Sequence, residues 1–226
     1  MRNFNSKVED IFNMNAQVMI CPAGESIRER FAEEIGGLVH ATGPVSYDYH
    51  FPKRAIFDQL TKLSWLRDGS LFAADATHLA LRDDQLLGIE IGFPGTEWKA
   101  REAALGSLWT VLIDGGQVSQ HDLKEILTNS DHASWLNPAV PSDVYYVHAL
   151  SVKSEARGQK VGMELLSQAM SRAKAEGFRG LQLDVLSDNP AVNFYQSMGL
   201  ELLVESLAPK PNAAGVPAEY RMGIIF

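Results

Sequence analysis

The chain has 226 residues, of which 46% are hydrophobic and 21% are charged, a balance that excludes disordered and fibrous proteins and predicts a globular fold. Its 20 Lys and Arg against 28 Asp and Glu give a net charge of -8, so neither nucleic acid nor a membrane surface is expected as a partner. With a single cysteine, no run of ~20 apolar residues and no secretory signal at the start, a cytoplasmic location is expected.

The first part of the chain predicts a strand, two helices and a hairpin. Residues 16–22 favour a short strand. Two amphipathic helices follow, with apolar residues at Ile27, Phe31, Ile35 and Leu38 and then at Ile56, Leu60 and Leu63. Between them, residues 42–53 have no period and predict a loop. Residues 77–93 predict a hairpin with its turn at Asp83-Asp84.

The second part alternates helices and strands. Two helical patterns lie between residues 96 and 137, the second begun by a capping box at 119–122. The later predictions are a strand over Val144–Val152, a helix over Val161–Glu176, a strand at Leu181–Val185, a short helix after Asn189-Pro190, and strands at Leu200–Val204 and Tyr220–Phe226. In the first of these strands, Tyr146, His148, Leu150 and Val152 are placed on one side. The chain is therefore an α/β or α+β protein, with one domain expected over residues 1–226.

The most informative segment runs from Leu150 to Gly162, where a strand leads into a loop with glycines and bases that opens onto a helix. The free N–H groups and the positive dipole end of a helix N-terminus attract anions, and Arg157 and Lys160 add cations. Gly158 and Gly162 allow the backbone to approach a ligand closely. The segment predicts a pyrophosphate site, although the Walker pattern is absent.

A second segment, Leu183 to Leu200, contains Asn189 and Tyr195 one helix and one strand downstream. Together the two segments resemble the acetyl-CoA-binding half of the GNAT superfamily of N-acetyltransferases, most closely over residues 144–204. The resemblance implies a central mixed, mostly antiparallel sheet flanked by helices, with the helices at 96–137 as an insertion between the third and fourth strands. It also implies acetyl-CoA as co-substrate and direct transfer to a primary amine in a ternary complex.

The resemblance implies roles for individual residues. The backbone of Leu150, Ser151 and Val152 would hold the pantetheine arm and polarise the thioester carbonyl. The pyrophosphate would lie on the loop formed by Arg157, Gly158, Gln159, Lys160, Val161 and Gly162. Asn189 would hydrogen-bond the pantetheine chain and cap its helix. Tyr195 would be the general acid that protonates the departing sulfur.

Several roles stay open. Lys160 stands where the family loop has glycine, so its side chain either contributes a cation to the phosphates or points to solvent. The general base is His148, Glu90, Asp184 or a water molecule. No histidine or cysteine spacing suits a metal ion, so none is predicted.

The acceptor is also open. The aromatic segment 47–51, with Asp48, either lines the acceptor pocket and holds a cationic amine or folds onto the core. Small amines, amino acids and protein amines all remain candidates, as do the acyl-chain preference and the oligomeric state, including a homodimer. Two alternatives to the enzyme are an inactive acyl-CoA-binding sensor, motivated by Lys160, and a protein-interaction module on the same fold.

Overall fold

The computed structural model describes residues 17–226. Its strands are β1 (Met19–Pro22), β2 (Thr77–Arg82), β3 (Gln85–Pro94), β4 (Val144–Val152), β5 (Gly180–Leu186), β6 (Glu201–Ser206) and β7 (Glu219–Ile225). They form one seven-stranded sheet in the order β1-β2-β3-β4-β5-β7-β6. Only β4 and β5 are parallel neighbours. The predicted mixed, mostly antiparallel sheet is confirmed, and residue 16 of the predicted first strand lies outside the described residues.

Helices cover both faces of the sheet. They are α1 (Glu25–His40), α2 (Pro44–His50), α3 (Arg54–Trp65), α4 (Trp98–Asp114), α5 (Gln120–Ala133), α6 (Val161–Ala175), α7 (Ala191–Ser197) and α8 (Pro209–Ala213). One face of the sheet packs against α1 to α5, and we call it the α1 face. The opposite face packs against α6 and α7, and we call it the α6 face. Among the described residues, no helix is both long and apolar enough to cross a membrane.

Two local predictions are confirmed in detail. The hairpin between β2 and β3 turns at Asp83 and Asp84, whose φ angles of 48° and 64° are the left-handed pair of a type I′ turn. Helix α5 starts with the predicted capping box. The Ser119 hydroxyl accepts from the Asp122 N–H at 3.1 Å, and the Asp122 carboxylate accepts from the Ser119 N–H at 3.3 Å. Both features depend only on neighbouring residues.

The loop predicted over residues 42–53 is wrong, because α2 occupies most of it. Pro44 suits the first turn of a helix, where its missing N–H costs nothing. The helix is short, and packing stabilises it: the Tyr47 ring lies 4.7 Å from the Phe57 ring of α3, measured between centroids. The aromatic residues thus fix a helix that shows no clear period in the sequence.

Strand β4 contains a β-bulge that corrects another prediction. Ile91 of β3 faces Ala149 and Gly92 faces Val147, so His148 is the extra residue. The side chains of residues 146 and 148 lie in the aromatic cluster of the α1 face, whereas residues 150 and 152 pack on the α6 face. The four side chains therefore do not share one side, since the bulge reverses the alternation of the strand.

Candidate functional site

The parallel strands β4 and β5 separate at one end of the sheet. Their pairing joins Val144–Val147 to Gly180–Leu183 and stops there. The end of β4, residues 149–152, pairs with β3 alone, so its edge towards β5 has no strand partner. We call the space between residues 149–152 and 184–186 the split. An extended ligand that carries amide groups can pair with such an unpaired strand edge.

Beyond the split, the loop between β4 and α6 presents backbone donors. The N–H groups of Gly158, Gln159, Lys160, Val161, Gly162 and Met163 donate to no backbone acceptor within residues 17–226. They gather at the N-terminus of α6, the positive end of a helix of 15 residues. Free N–H groups at a helix N-terminus are the donors that the predicted anion site requires, and the binding of an anion stays a prediction.

Lys160, which stands where the family loop has glycine, adopts a backbone conformation typical of glycine. Its backbone is left-handed, with φ 64° and ψ 8°, the conformation that glycine adopts most easily. A side chain costs about 1–2 kcal/mol in that conformation, and the loop keeps its shape at this cost. The Lys160 side chain is exposed, so both of its proposed orientations stay open.

The other loop side chains differ in their freedom. Arg157 is exposed and donates through Nε to the Val152 carbonyl at 3.3 Å, which leaves its other guanidinium nitrogens without a protein acceptor in the described chain. Gln159 is held at both ends of its amide: it accepts from Arg82 at 2.7 Å and donates to the Glu155 carbonyl at 2.8 Å. Gln159 can therefore serve a ligand through its backbone rather than its side chain.

Asn189 lies just before α7, and Tyr195 lies within it. The N-cap position is Pro190, one residue after the predicted Asn189. The Asn189 Oδ1 still accepts from the Ala191 N–H, the first of the helix, at 2.9 Å, and Nδ2 donates to the Thr42 carbonyl at 3.3 Å. Tyr195 is buried on the α6 face, and its hydroxyl bonds to none of the residues the structure describes. Burial raises its pKa, which keeps the phenol protonated as a general acid must be.

Two of the candidate bases are already paired. Glu90 is fully buried on the α6 face, where it accepts from Tyr145 at 3.1 Å and from Arg172 at 2.5 Å. Asp184 lies on the α1 face and accepts from Arg221 at 2.5 and 2.7 Å and from the Tyr146 hydroxyl at 2.8 Å. Both carboxylates therefore already have protein donors as hydrogen-bond partners.

The third candidate base, His148, is kept neutral by burial among aromatic rings. Its ring lies 5.2 Å from Phe72 and 5.6 Å from Trp98, measured between centroids, and its Nε2 is buried without a hydrogen-bond partner among the described residues. Burial and, to a lesser extent, the charge of Arg101 lower its pKa to about 4. A neutral imidazole with a free nitrogen can accept a proton, but only weakly at this pKa.

Glu219 is a candidate that the sequence reasoning missed. It starts β7 opposite Leu186 and shares the α1 face with Asp184 and Arg221. Its carboxyl group is partly buried and makes no hydrogen bond or ion pair with any described residue. Burial, and then the charge of Asp184, raise its pKa to about 8 against the opposing effect of Arg221. The predicted strand began one residue later, and only the alternation of 219 with 221 could have signalled this position.

The aromatic segment does not supply the expected charge. The side chain of Asp48 is 65% exposed and accepts from His40 Nε2 at 2.8 Å, at the surface of the protein. Tyr47 turns inward from the same helix and packs on Phe57. Of the two alternatives for this segment, packing onto the core is the one that the Tyr47 contact favours.

Residues 125–200 match the model of the acetyltransferase (GNAT) family. Over these residues the chain is similar to the GNAT acetyltransferases. The matched range contains β4, the anion-binding loop, α6, β5 and α7, so it spans the split and the elements around it. No curated protein matches the sequence.

Solved structures share the GNAT fold. An N-acetyltransferase from Staphylococcus aureus Mu50 superposes with a TM-score of 0.67 at 17% identity, over 91% of this chain and 100% of that one. Arylalkylamine N-acetyltransferase 2 from Aedes aegypti gives 0.58 at 14% identity, over 92% and 99%. A chain of the NatC complex bound to Gag peptide and CoA gives 0.52 at 14% identity, over 93% and 99%. Identities this low establish the fold alone.

Proposed function

We propose that this GNAT domain is a cytoplasmic N-acetyltransferase that moves the acetyl group of acetyl-CoA to a primary amine by direct attack in a ternary complex, without a metal ion. The observation that carries the proposal is the split between β4 and β5, which leads directly into a loop of free N–H groups. A neighbour of this fold, the NatC complex, was solved with CoA bound, which supports the same cofactor here.

The split and the loop match the two ends of the cofactor. Pantetheine is an extended chain with two amides, so it can pair with the free edge of β4 at Leu150, Ser151 and Val152. The pyrophosphate then reaches residues 157–162, where backbone donors, the α6 dipole and the Arg157 guanidinium favour its charge. The free amide hydrogen of Asn189 is available to the pantetheine chain.

The transfer needs three proton and charge events. The neutral amine attacks the thioester carbonyl, which forms a C–N bond, and backbone N–H groups at the end of β4 stabilise the developing oxyanion. Collapse of the intermediate breaks the C–S bond. Tyr195 protonates the departing thiolate, and a base takes the proton that the amine gives up.

The first experiment is the melting temperature with and without acetyl-CoA, with adenosine diphosphate as the control for simple pyrophosphate binding. At ~100 times its Kd a ligand adds about 2.7 kcal/mol, a rise of roughly 5–10 °C for a chain of this size. Two variants separate the alternatives for Lys160. Lys160→Gly removes the charge and the backbone strain, and Lys160→Ala removes the charge alone. If the lysine binds phosphate, both substitutions weaken acetyl-CoA binding. If it points to solvent, neither substitution does.

Tyr195→Phe tests the acid. We expect transfer to an amine to slow by about 10²–10⁴-fold while the acetyl-CoA-induced rise in melting temperature is kept. Phe194→Leu, on the same helix, is the control for packing. Unchanged turnover in Tyr195→Phe would remove the role of Tyr195, and acetyl-CoA binding with no transfer to any amine would favour the inactive sensor.

The sheet edge favours a protein-interaction module as a second candidate. Leu202, Leu203 and Val204 of the edge strand β6 are 48%, 47% and 42% exposed. An apolar strand with an unpaired edge is prone to pair with another chain. Light scattering over a concentration range tests self-association, and a strictly monomeric protein would leave a homodimer without support.

A further inference from the structure

Glu219 is a carboxylic acid without an ion-pair partner, although the nearby Asp184 is paired with Arg221. On the α1 face, Asp184 is neutralised by Arg221. The remaining donors of Arg221 go to the Pro138 carbonyl at 2.8 Å, the Ala139 carbonyl at 3.4 Å and the Gln182 amide at 3.3 Å. The guanidinium is therefore fully engaged, and the Glu219 carboxyl is left without a counter-charge in the described chain.

The position of Glu219 relates it to the split. The parallel strands β4 and β5 both end at the split, and β7 runs antiparallel to β5 with Glu219 opposite Leu186. Glu219 therefore lies at the same end of the sheet as the split, on its α1 face. Tyr195 packs on the α6 face. A proton acceptor and a proton donor thus stand on opposite faces of the sheet, at the end where the thioester would lie.

The other titratable groups around Glu219 cannot replace it. Burial raises the pKa of Tyr47 to about 12, and the negative charge of Glu219 adds to the effect. Burial, then the charge of Asp184, and to a smaller degree that of Glu219, also raise the pKa of Tyr146. Both phenols stay neutral, so neither can balance the charge of Glu219. A bound cation would supply the counter-charge that this cluster lacks.

We propose that Glu219 binds the ammonium group of the acceptor and takes its proton, acting as the general base of the transfer. This proposal rests on the proposed function. The Glu219 carboxylate takes one proton from the ammonium, and the neutral amine nitrogen then bonds to the acetyl carbon. The C–S bond breaks as Tyr195 gives its proton to the thiolate, and the second proton that leaves the nitrogen restores the Tyr195 phenol through solvent. Glu219 returns its proton to solvent after the product departs.

The same charges define the class of acceptor. Arg221 is engaged as described, and Arg101, which lies by His148, bonds to Glu97, to Asp75 and to the Ser70 carbonyl. Arg221 has no free donor for a carboxylate next to the amine, and Arg101 has at most one. The acceptor is therefore a primary amine without a neighbouring carboxylate, and free α-amino acids are poor acceptors.

The test measures CoA release with a thiol-reactive chromophore, using primary amines each paired with its α-carboxylated counterpart, such as tyramine with tyrosine. With the best amine, we expect Glu219→Gln to lower kcat/KM by about 10²–10⁴-fold, and Glu219→Asp to restore part of the loss. Glu205→Gln, on the exposed strand β6, is the matched control and should keep the wild-type rate. The wild-type rate should rise with pH as Glu219 deprotonates, whereas the residual rate of Glu219→Gln should follow the ionisation of the amine itself.

The outcomes separate the two proposals. A wild-type rate in Glu219→Gln, in a protein that transfers acetyl groups, overturns the role of Glu219 and leaves the proposed function standing. A wild-type protein that acetylates no amine overturns both. A preference of at least tenfold for the carboxylated member of the best pair overturns the acceptor class alone.

Discussion

Replacing Glu219 with glutamine should stabilise the free protein at high pH, because the structure holds this acid where its charge has no partner. The pKa of Glu219 rises from its ordinary value of 4.5 to about 8 on folding. The folded protein therefore keeps a proton that the unfolded chain releases, so stability is complete below pH 4.5 and falls as pH rises through 8. At about 1.4 kcal/mol per pH unit, the loss approaches about 5 kcal/mol, an upper bound because water reaches part of the side chain.

Urea unfolding of the wild type and Glu219→Gln at several pH values between 4 and 9 measures this loss. The free energy of unfolding of the variant should exceed that of the wild type by an amount that grows with pH and levels off above pH 8. Glu205→Gln, which removes an exposed carboxyl from the neighbouring strand, should show no such growth. If the two curves for Glu219→Gln and wild type run parallel, the unpartnered environment assigned to Glu219 is refuted.

Three further changes test the surroundings of the site. His148 should cost stability as pH falls from 6.5 towards its folded pKa of about 4, up to about 3 kcal/mol, and urea unfolding of His148→Gln should lack this acid-side loss. Arg221→Met should cost about 3–5 kcal/mol in chemical unfolding because it leaves a buried Asp184 charge, and adding Asp184→Asn should recover part of it. Ser119→Ala should cost about 1 kcal/mol in urea unfolding through the lost cap of α5, whereas Ser107→Ala, on exposed α4, should change little.

Features with local causes could be predicted from the sequence. The Asp83-Asp84 turn follows from the ability of Asp to adopt left-handed backbone angles between two alternating strands. The start of α7 directly after Asn189-Pro190 follows from the side-chain oxygen of Asn189, which accepts from the first N–H of the helix. The anion loop follows in the same way from a strand, glycines and a helix start. In each case the deciding groups are a few residues apart.

Features with distant causes could not be predicted. The bulge at His148 depends on the register with β3, and the alternation of β4 by itself gives no sign of it. Helix α2 depends on the contact between Tyr47 and Phe57 of another helix. The unpaired state of Glu219 depends on the side chains that α2, β4 and β5 bring next to it, none of which pairs with its charge. Absence of a partner has no signature in the sequence, because it exists only once those elements meet.

Lys160 shows how a motif and its physical requirement can diverge. The family loop has glycine at this position, so the sequence suggested either a lost site or a variant one. In the structure this position is left-handed, and Lys160 adopts that conformation at φ 64°. The donors at the start of α6 are backbone N–H groups, which every residue except proline has. A change of residue type that preserves the backbone angles therefore preserves the donors of the predicted anion site, and the departure from glycine is a weaker argument for an inactive sensor than the sequence alone makes it.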